Sequence, residues 1–327
     1  MTAAPARGIR ILDIAYPRIR APDLDVMEEF LVDFGMVKVA RTDTALYMRG
    51  TGPAHHIHIT EKGEPGFASL AYYARSEEDL HRAAELPDAV SPVRDIDEPG
   101  GGRRVYLREP INGFMIEVVH GIETLPELPV EYRSPKWEPD VMSSIGNPSR
   151  LKFGPAHIRR ISHGVVATPH LKPTLAWFRD TFGLLCTDEF YMGSRENLLG
   201  GFYRLDRGDE PVDHHVLNVY WNETKAGLQH ASFVTENVED LLIGHSHLTR
   251  LNKYKHIRGV GYHPPGGQIF DYWLNPFGQM HELYLPTQQF TREDPANVMP
   301  APSAVDPTSA FANSIMEIAP IGILDDD

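Results

Sequence analysis

The fold is decided by residues 160–184, RISHGVVATPHLKPTLAWFRDTFGL, because the same plan appears earlier at residues 12–36, LDIAYPRIRAPDLDVMEEFLVDFGM. Each stretch reads as a strand, a turn and an amphipathic helix. In the later copy Leu171, Leu175, Phe178 and Phe182 recur near helical spacing; in the earlier one Met27, Phe30, Leu31 and Phe34 do so. Both helices are predicted to stop at an aromatic-Gly pair, Phe182-Gly183 and Phe34-Gly35, where glycine supplies the left-handed turn. Three further echoes follow in the same order. His55-His56-Ile57-His58-Ile59 matches His214-His215-Val216-Leu217-Asn218. GFASLAYYARSEEDL (66–80) matches GLQHASFVTENVEDL (227–241). The hairpin VYLREPINGFMIEVV (105–119) matches DYWLNPFGQMHELYL (271–285). The offsets stay between about 148 and 165 residues, so the chain is two copies of one module. The order of strand, helix, strands, helix and hairpin predicts an α+β fold with a curved mixed sheet. We place the modules at 8–120 and 157–289, with a Pro- and Glu-rich linker at 121–156. An arm or partly disordered tail at 290–327 ends in Asp-Asp-Asp.

Composition bounds the function. A chain of 327 residues, 42% hydrophobic, is large enough for two domains with a substantial core. A formal charge of −14 repels phosphate backbones, so nucleic acid is not an expected partner. No apolar run is long enough to span a bilayer, so no membrane association and a cytoplasmic location are expected. The single cysteine, Cys186, follows an apolar run and reads as a small hydrophobe rather than a nucleophile. Sixteen histidines are unusual, yet a metal site uses only two or three.

The differences between the copies locate the chemistry. On this alignment His163 corresponds to Ala15, His230 to Ser69 and Glu282 to Glu117. The first module keeps a carboxylate and lacks both imidazoles. The second offers two neutral nitrogens and a carboxylate, the set that holds non-haem Fe(II) and leaves coordination positions open. Each residue lies on a predicted strand: His163 shares a face with Val165, His230 with Ser232, and Glu282 with Met280 and Tyr284. A lone strand histidine is more often a satisfied core group than a ligand. The conjunction reverses those odds, because a carboxylate inside the apolar run MHELYL is costly unless paired or bound to metal.

The stretch GYHPPGGQIFDYWLNPFGQMHE (261–282) resembles the signature of the type I extradiol dioxygenases of the vicinal oxygen chelate superfamily, the catechol and dihydroxybiphenyl ring-cleaving enzymes. Gly261, His263, Tyr272, Asn275, Pro276, Gly278 and Glu282 fall in place. Asp271 departs from the pattern, where the family prefers an apolar residue. The similarity in module order covers roughly residues 8–290. It implies two modules of paired βαβββ units and iron ligands at His163, His230 and Glu282. It further implies catalytic roles for His215, His263 and Tyr272, with His215 donating to the bound oxygen and His263 and Tyr272 handling the substrate's hydroxyl protons. The activity implied is O2-dependent cleavage of a 3- or 4-substituted catechol beside its hydroxyls, giving a muconic semialdehyde-type product. Fe(II) is the expected cofactor and Mn(II) also suits the ligand set. Relatives commonly form homo-oligomers.

Blander alternatives stand beside each residue: a solvated strand end for His214-His215, a loop histidine for His263 and a core aromatic for Tyr272. Arg258 is a candidate partner for a substrate carboxylate, and Trp177, Phe190, Tyr191, Phe202 and Trp273 are candidate pocket walls. His245 and His247 are expected to be solvated, and Gly100-Gly101-Gly102 to form a hairpin turn. The rival functions are a glyoxalase-like lyase or 4-hydroxyphenylpyruvate dioxygenase of the same fold, and a non-catalytic aromatic-binding module.

Overall fold

The computed structural model describes residues 8–130, 153–263, 265–286 and 288–301. The first module runs β1 (Ile11–Ala21), α1 (Leu24–Phe34), β2 (Val37–Arg41), β3 (Ala45–Arg49), β4 (His58–Lys62), β5 (Gly66–Ala74), α2 (Glu77–Ala83), β6 (Arg94–Asp95), β7 (Arg103–Arg108) and β8 (Met115–His120). The second repeats this order. It comprises β9 (Ile158–Thr168), α3 (Leu171–Phe182), β10 (Leu185–Tyr191), β11 (Leu198–Arg204), β12 (Val212–Asp213), β13 (Leu217–Trp221), β14 (Gly227–Thr235), α4 (Val238–Leu251), β15 (Lys255–His263), β16 (Gln268–Leu274) and β17 (Met280–Leu285). Then come β18 (Gln289–Phe290) and β19 (Asn297–Pro300).

The sheet orders are β2-β3-β4-β1-β5-β8-β7-β6 and β15-β16-β17-β14-β9-β13-β11-β10-β19. Apart from the added β19, the second is the first read in reverse. In each, two βαβββ units meet where their leading strands pair antiparallel, β1 with β5 and β9 with β14. The helices begin and end as local chemistry requires. Asp23 accepts from the amides of Asp25 and Val26 to start α1, and Asn237 accepts from Asp240 to start α4. The stop at Gly183 has φ 64°, a left-handed conformation that costs a side-chain-bearing residue energy.

The modules share one apolar core. Leu70, Phe30 and Phe34 of the first join Phe178, Phe233 and Leu283 of the second, all nearly inaccessible. A Cβ on Gly164 of β9 would come within 2.9 Å of Leu70, so glycine lets the two sheets approach here. Polar ties cross the same boundary: His58 and His281 meet at 3.1 Å, and Gln279 donates to the carbonyls of Arg20 and Gly66. Such shared burial joins the two modules across a packed interface.

Strand register corrects one equivalence. His163 faces Ser232 across β9 and β14, while Tyr16, not Ala15, faces the corresponding Ala71 across β1 and β5. His230 faces Val165 as Ser69 faces Arg18, so Arg18 occupies the place of Val165. The slip arises because α3 is one residue longer than α1, which shifts any alignment anchored on the helix ends by one. Of the expected linker, residues 131–152 lie outside the described residues, as do 302–327 with the terminal aspartates. The described arm is ordered: β18 pairs with β12, and β19 extends the sheet beside β10. Gly100, Gly101 and Gly102 all have positive φ and join β6 to β7 in a hairpin. Among the described residues no helix is long and apolar enough to cross a membrane.

Candidate metal centre

Three central strands of the second sheet aim their side chains at one point. His163 comes from β9, His230 from β14 and Glu282 from β17, which are consecutive neighbours in the sheet. His163 Nε2 lies 3.3 Å and His230 Nε2 3.2 Å from Glu282 Oε2, and all three residues are buried. Two ligands at right angles, each about 2.1 Å from an ion, would stand roughly 3 Å apart. Despite their proximity, His230 Nε2 and Glu282 Oε2 are not aligned as a hydrogen bond, and both are buried without a hydrogen-bond partner. Burial of such atoms is costly unless something charged completes them. The far side of each ring is already held: His163 Nδ1 is 3.2 Å from Ser162 Oγ, and His230 Nδ1 contacts Gln229 Oε1. The Gln229 carbonyl accepts, so the His230 proton sits on Nδ1 and the Nε2 lone pair faces inward, the usual outer support of a metal-bound imidazole. The residues present therefore fit a divalent ion.

Burial pushes the Glu282 carboxyl upward, but the close approach of His163 and His230 to Oε2 outweighs it and holds it well below the usual range. Burial likewise lowers His163, against the pull of Glu282. Both settle in the states a metal requires, anionic carboxylate and neutral imidazole.

These side chains floor a cavity of about 410 Å³, mouth included, whose walls include Val165, Phe202, His215, Asn218, Tyr220, Gln268, Tyr272 and Tyr284. His215 packs against His163 with ring centroids 3.9 Å apart, and burial holds its imidazole well below its usual pKa. His263 Nε2 and Tyr272 OH are 3.0 Å apart. Burial lowers His263 to about 3, and burial with the Glu282 charge raises Tyr272, so one is neutral and the other protonated. His214 and His215 are buried, not a solvated strand end.

The two expected substrate contacts are placed differently. Trp273 alternates with Tyr272 on β16 and points to the opposite face, where its indole donates to Asp271 Oδ2 at 2.6 Å. Arg258 is buried opposite Tyr272 on the neighbouring strand, over the Phe270 ring, where its charge acts on His263 and Tyr272. Of the five aromatics expected as walls only Phe202 is one. His245 is not simply solvated: its Nδ1 lies 3.0 Å from the fully buried Asp271, which His256 Nε2 also meets at 2.8 Å. This explains the polar residue at 271, since three donors satisfy its carboxylate. Burial pushes the Cys186 thiol up to about 12, which makes it inert. The polar walls Asn218, Tyr220 and Gln268 escaped the sequence reading. Tyr284 had a signal, the two-residue alternation from Glu282.

Comparison with known proteins bears on this geometry. No protein-family profile matches the chain. A metapyrocatechase, metapyrocatechase 2 of Cupriavidus necator, is 27% identical over 299 residues, covering 88% of this chain and 86% of that protein. Among solved structures, a Mn(II)-bound glyoxalase from Novosphingobium aromaticivorans superposes with a TM-score of 0.77 at 19% identity over 96% of both chains. The 2,3-dioxygenase LapB from Pseudomonas sp. KL28 gives 0.72 at 15% identity, covering 91% of this chain and 100% of that one. Homoprotocatechuate 2,3-dioxygenase from Brevibacterium fuscum, in complex with 3,4-dihydroxyphenylacetate, gives 0.71 at 18%, covering 92% of this chain and 89% of that one. One fold thus hosts a glyoxalase and ring-cleaving dioxygenases, and the site must decide between them.

Proposed function

We propose that this chain is an extradiol dioxygenase of the vicinal oxygen chelate superfamily and uses Fe(II) held by His163, His230 and Glu282 to cleave a 3- or 4-substituted catechol beside its two hydroxyls, a reading that the similarity to metapyrocatechase 2 and the 2,3-dioxygenases supports. The observation that carries the reading is the inward-facing His-His-Glu set with unsatisfied Nε2 and Oε2 atoms, beneath a cavity that also holds His215, His263 and Tyr272. Fe(II), when bound, would supply Lewis acidity for the catechol oxygens and a redox centre for dioxygen. Both oxygen atoms of O2 end in the product, so no external reductant is needed.

The chain's own groups manage protons and orientation. Neutral His263 accepts a proton from a catechol hydroxyl, and Tyr272, kept protonated, donates to the oxygen left behind. His215, beside ligand His163, holds and returns a proton where oxygen adds to the ring. Val165 and Phe202 supply apolar wall for the ring faces. Asn218 Oδ1, Tyr220 OH and Gln268 Nε2 are buried without hydrogen-bond partners and face a polar substituent or water. Mn(II) is accepted by the same donors.

The test is metal analysis coupled to oxygen uptake. Catechol, 3-phenylcatechol and 3,4-dihydroxyphenylacetate are offered in air, with one O2 consumed per ring opened and a yellow product expected. Substrate loss without oxygen uptake would transfer the site to lyase chemistry, and indifference to all three catechols would sink the substrate class. His230→Ala should lose the metal; full occupancy in that variant refutes the ligand set.

A further inference from the structure

Behind His215 lies a second layer of polar groups with no role in the chemistry above. His214 Nδ1 is 3.0 Å from His215 Nδ1, and His214 Nε2 is 2.6 Å from Asp188 Oδ2. All three side chains are buried. The first module contains the same histidine contact, His55 Nδ1 to His56 Nδ1 at 3.0 Å. It lacks the carboxylate: Ala40 pairs with Tyr47 across β2 and β3 where Asp188 pairs with Phe202 across β10 and β11. The histidine pair thus belongs to the repeated fold, and the aspartate only to the module with the metal ligands.

We infer that Asp188, acting through His214, is a positioning residue that fixes the tautomer and ring orientation of His215. An ionised carboxylate only accepts, so the His214 proton facing it is on Nε2. With that proton directed at Asp188, His214 Nδ1 presents a lone pair, and the proton shared with His215 belongs to His215 Nδ1. His215 Nε2 is left unprotonated. The ring planes are held as well: Phe202 lies 4.5 Å from His215, and Phe290, brought in by β18, lies 5.3 Å from His214. Thr187 Oγ1 donates to the His214 carbonyl at 2.7 Å. In the proposed reaction, on which this last step alone rests, His215 takes a proton from the substrate side at Nε2 before it returns one.

Imidazole 15N–1H correlation spectra of histidine-labelled protein carrying diamagnetic Zn(II) read the tautomers directly, with His214→Gln and His215→Gln providing assignments. His214 is expected as the Nε2–H form and His215 as the Nδ1–H form. Asp188→Ala should scramble both and lower kcat by about 10- to 100-fold, with KM for catechol and metal content little changed, as loss of an outer support does elsewhere. Asp188→Asn, whose side-chain carbonyl still accepts, should recover most of both. An Nε2–H His215 in the parent protein overturns the inference, as does unaltered kcat in Asp188→Ala. So does an equal loss in the two variants that follows metal content or thermal stability. The spectra decide the tautomer even if the protein cleaves no catechol, which separates this failure from failure of the proposed function.

Discussion

Glu117 and Glu282 stand at the same place in two copies of one sheet, and the two modules complete them differently. Around Glu117, Arg18 Nε donates at 2.7 Å, Arg104 Nη1 at 3.1 Å, Tyr16 OH at 2.8 Å and Ser69 Oγ at 2.5 Å. Burial raises the Glu117 carboxyl, but the Arg18 and Arg104 charges outweigh it and bring it down to about 2. Around Glu282 the same positions carry Val165, His163 and His230, and Oε2 is left unsatisfied. The first module neutralises its carboxylate with a covalently attached cation. The second leaves room for an exchangeable one. The Arg18/Val165 position contributes to that choice together with Arg104, because a guanidinium and a metal ion compete for the same carboxylate.

The strongest challenge to this contrast is Val165→Arg, which plants the first module's cation in the second. Metal content should fall toward zero and turnover by about three orders of magnitude or more, while the variant stays folded because Glu282 remains paired; metal analysis and circular dichroism check both. The reverse graft, Tyr16→His with Arg18→Val and Ser69→His, should raise metal binding from one equivalent per chain to two under titration with Mn(II). Arg18→Met alone leaves Glu117 with Arg104, Tyr16 and Ser69 but removes its shortest cationic contact, and should destabilise the chain by about 3 kcal/mol in denaturant unfolding, with kcat per folded molecule within about twofold. The pH dependence follows with its sign. Glu117 is depressed from 4.5 to about 2, so its stabilising contribution is complete above 4.5 and is lost as pH falls through 2. The loss is on the order of 3 kcal/mol, and Glu117→Gln should flatten that limb of the unfolding curve. Smallest is Trp273→Phe, which removes the indole donor from buried Asp271 and should cost about 2 kcal/mol without altering kcat.

Periodicity and repetition made the modules legible, because strands and helices must each turn one face to a core and the two copies wrote the same pattern. The candidate set was legible for a related reason: two histidines and a glutamate on three neighbouring strands stand out against the first module, which keeps only the glutamate. Register was not. Whether His163 answers Ala15 or Tyr16 depends on a one-residue difference in helix length, and pairing across strands resolves it. Trp273 was misplaced because adjacency to Tyr272 in sequence means opposite faces in a strand. Asp271 looked anomalous until His245 and His256, from a helix and a neighbouring strand, came to meet it.

By itself, the sequence determined that the chain is two α+β modules and that the second carries the two-histidine, one-carboxylate set, since these follow from residue type and short-range spacing. Only the tertiary structure decided which groups support that set. Gln229 behind His230, Asp188 behind His214 and Arg18 in place of Val165 act across strands or through buried contacts, where a difference of one residue in register exchanges the inside of the sheet for the outside.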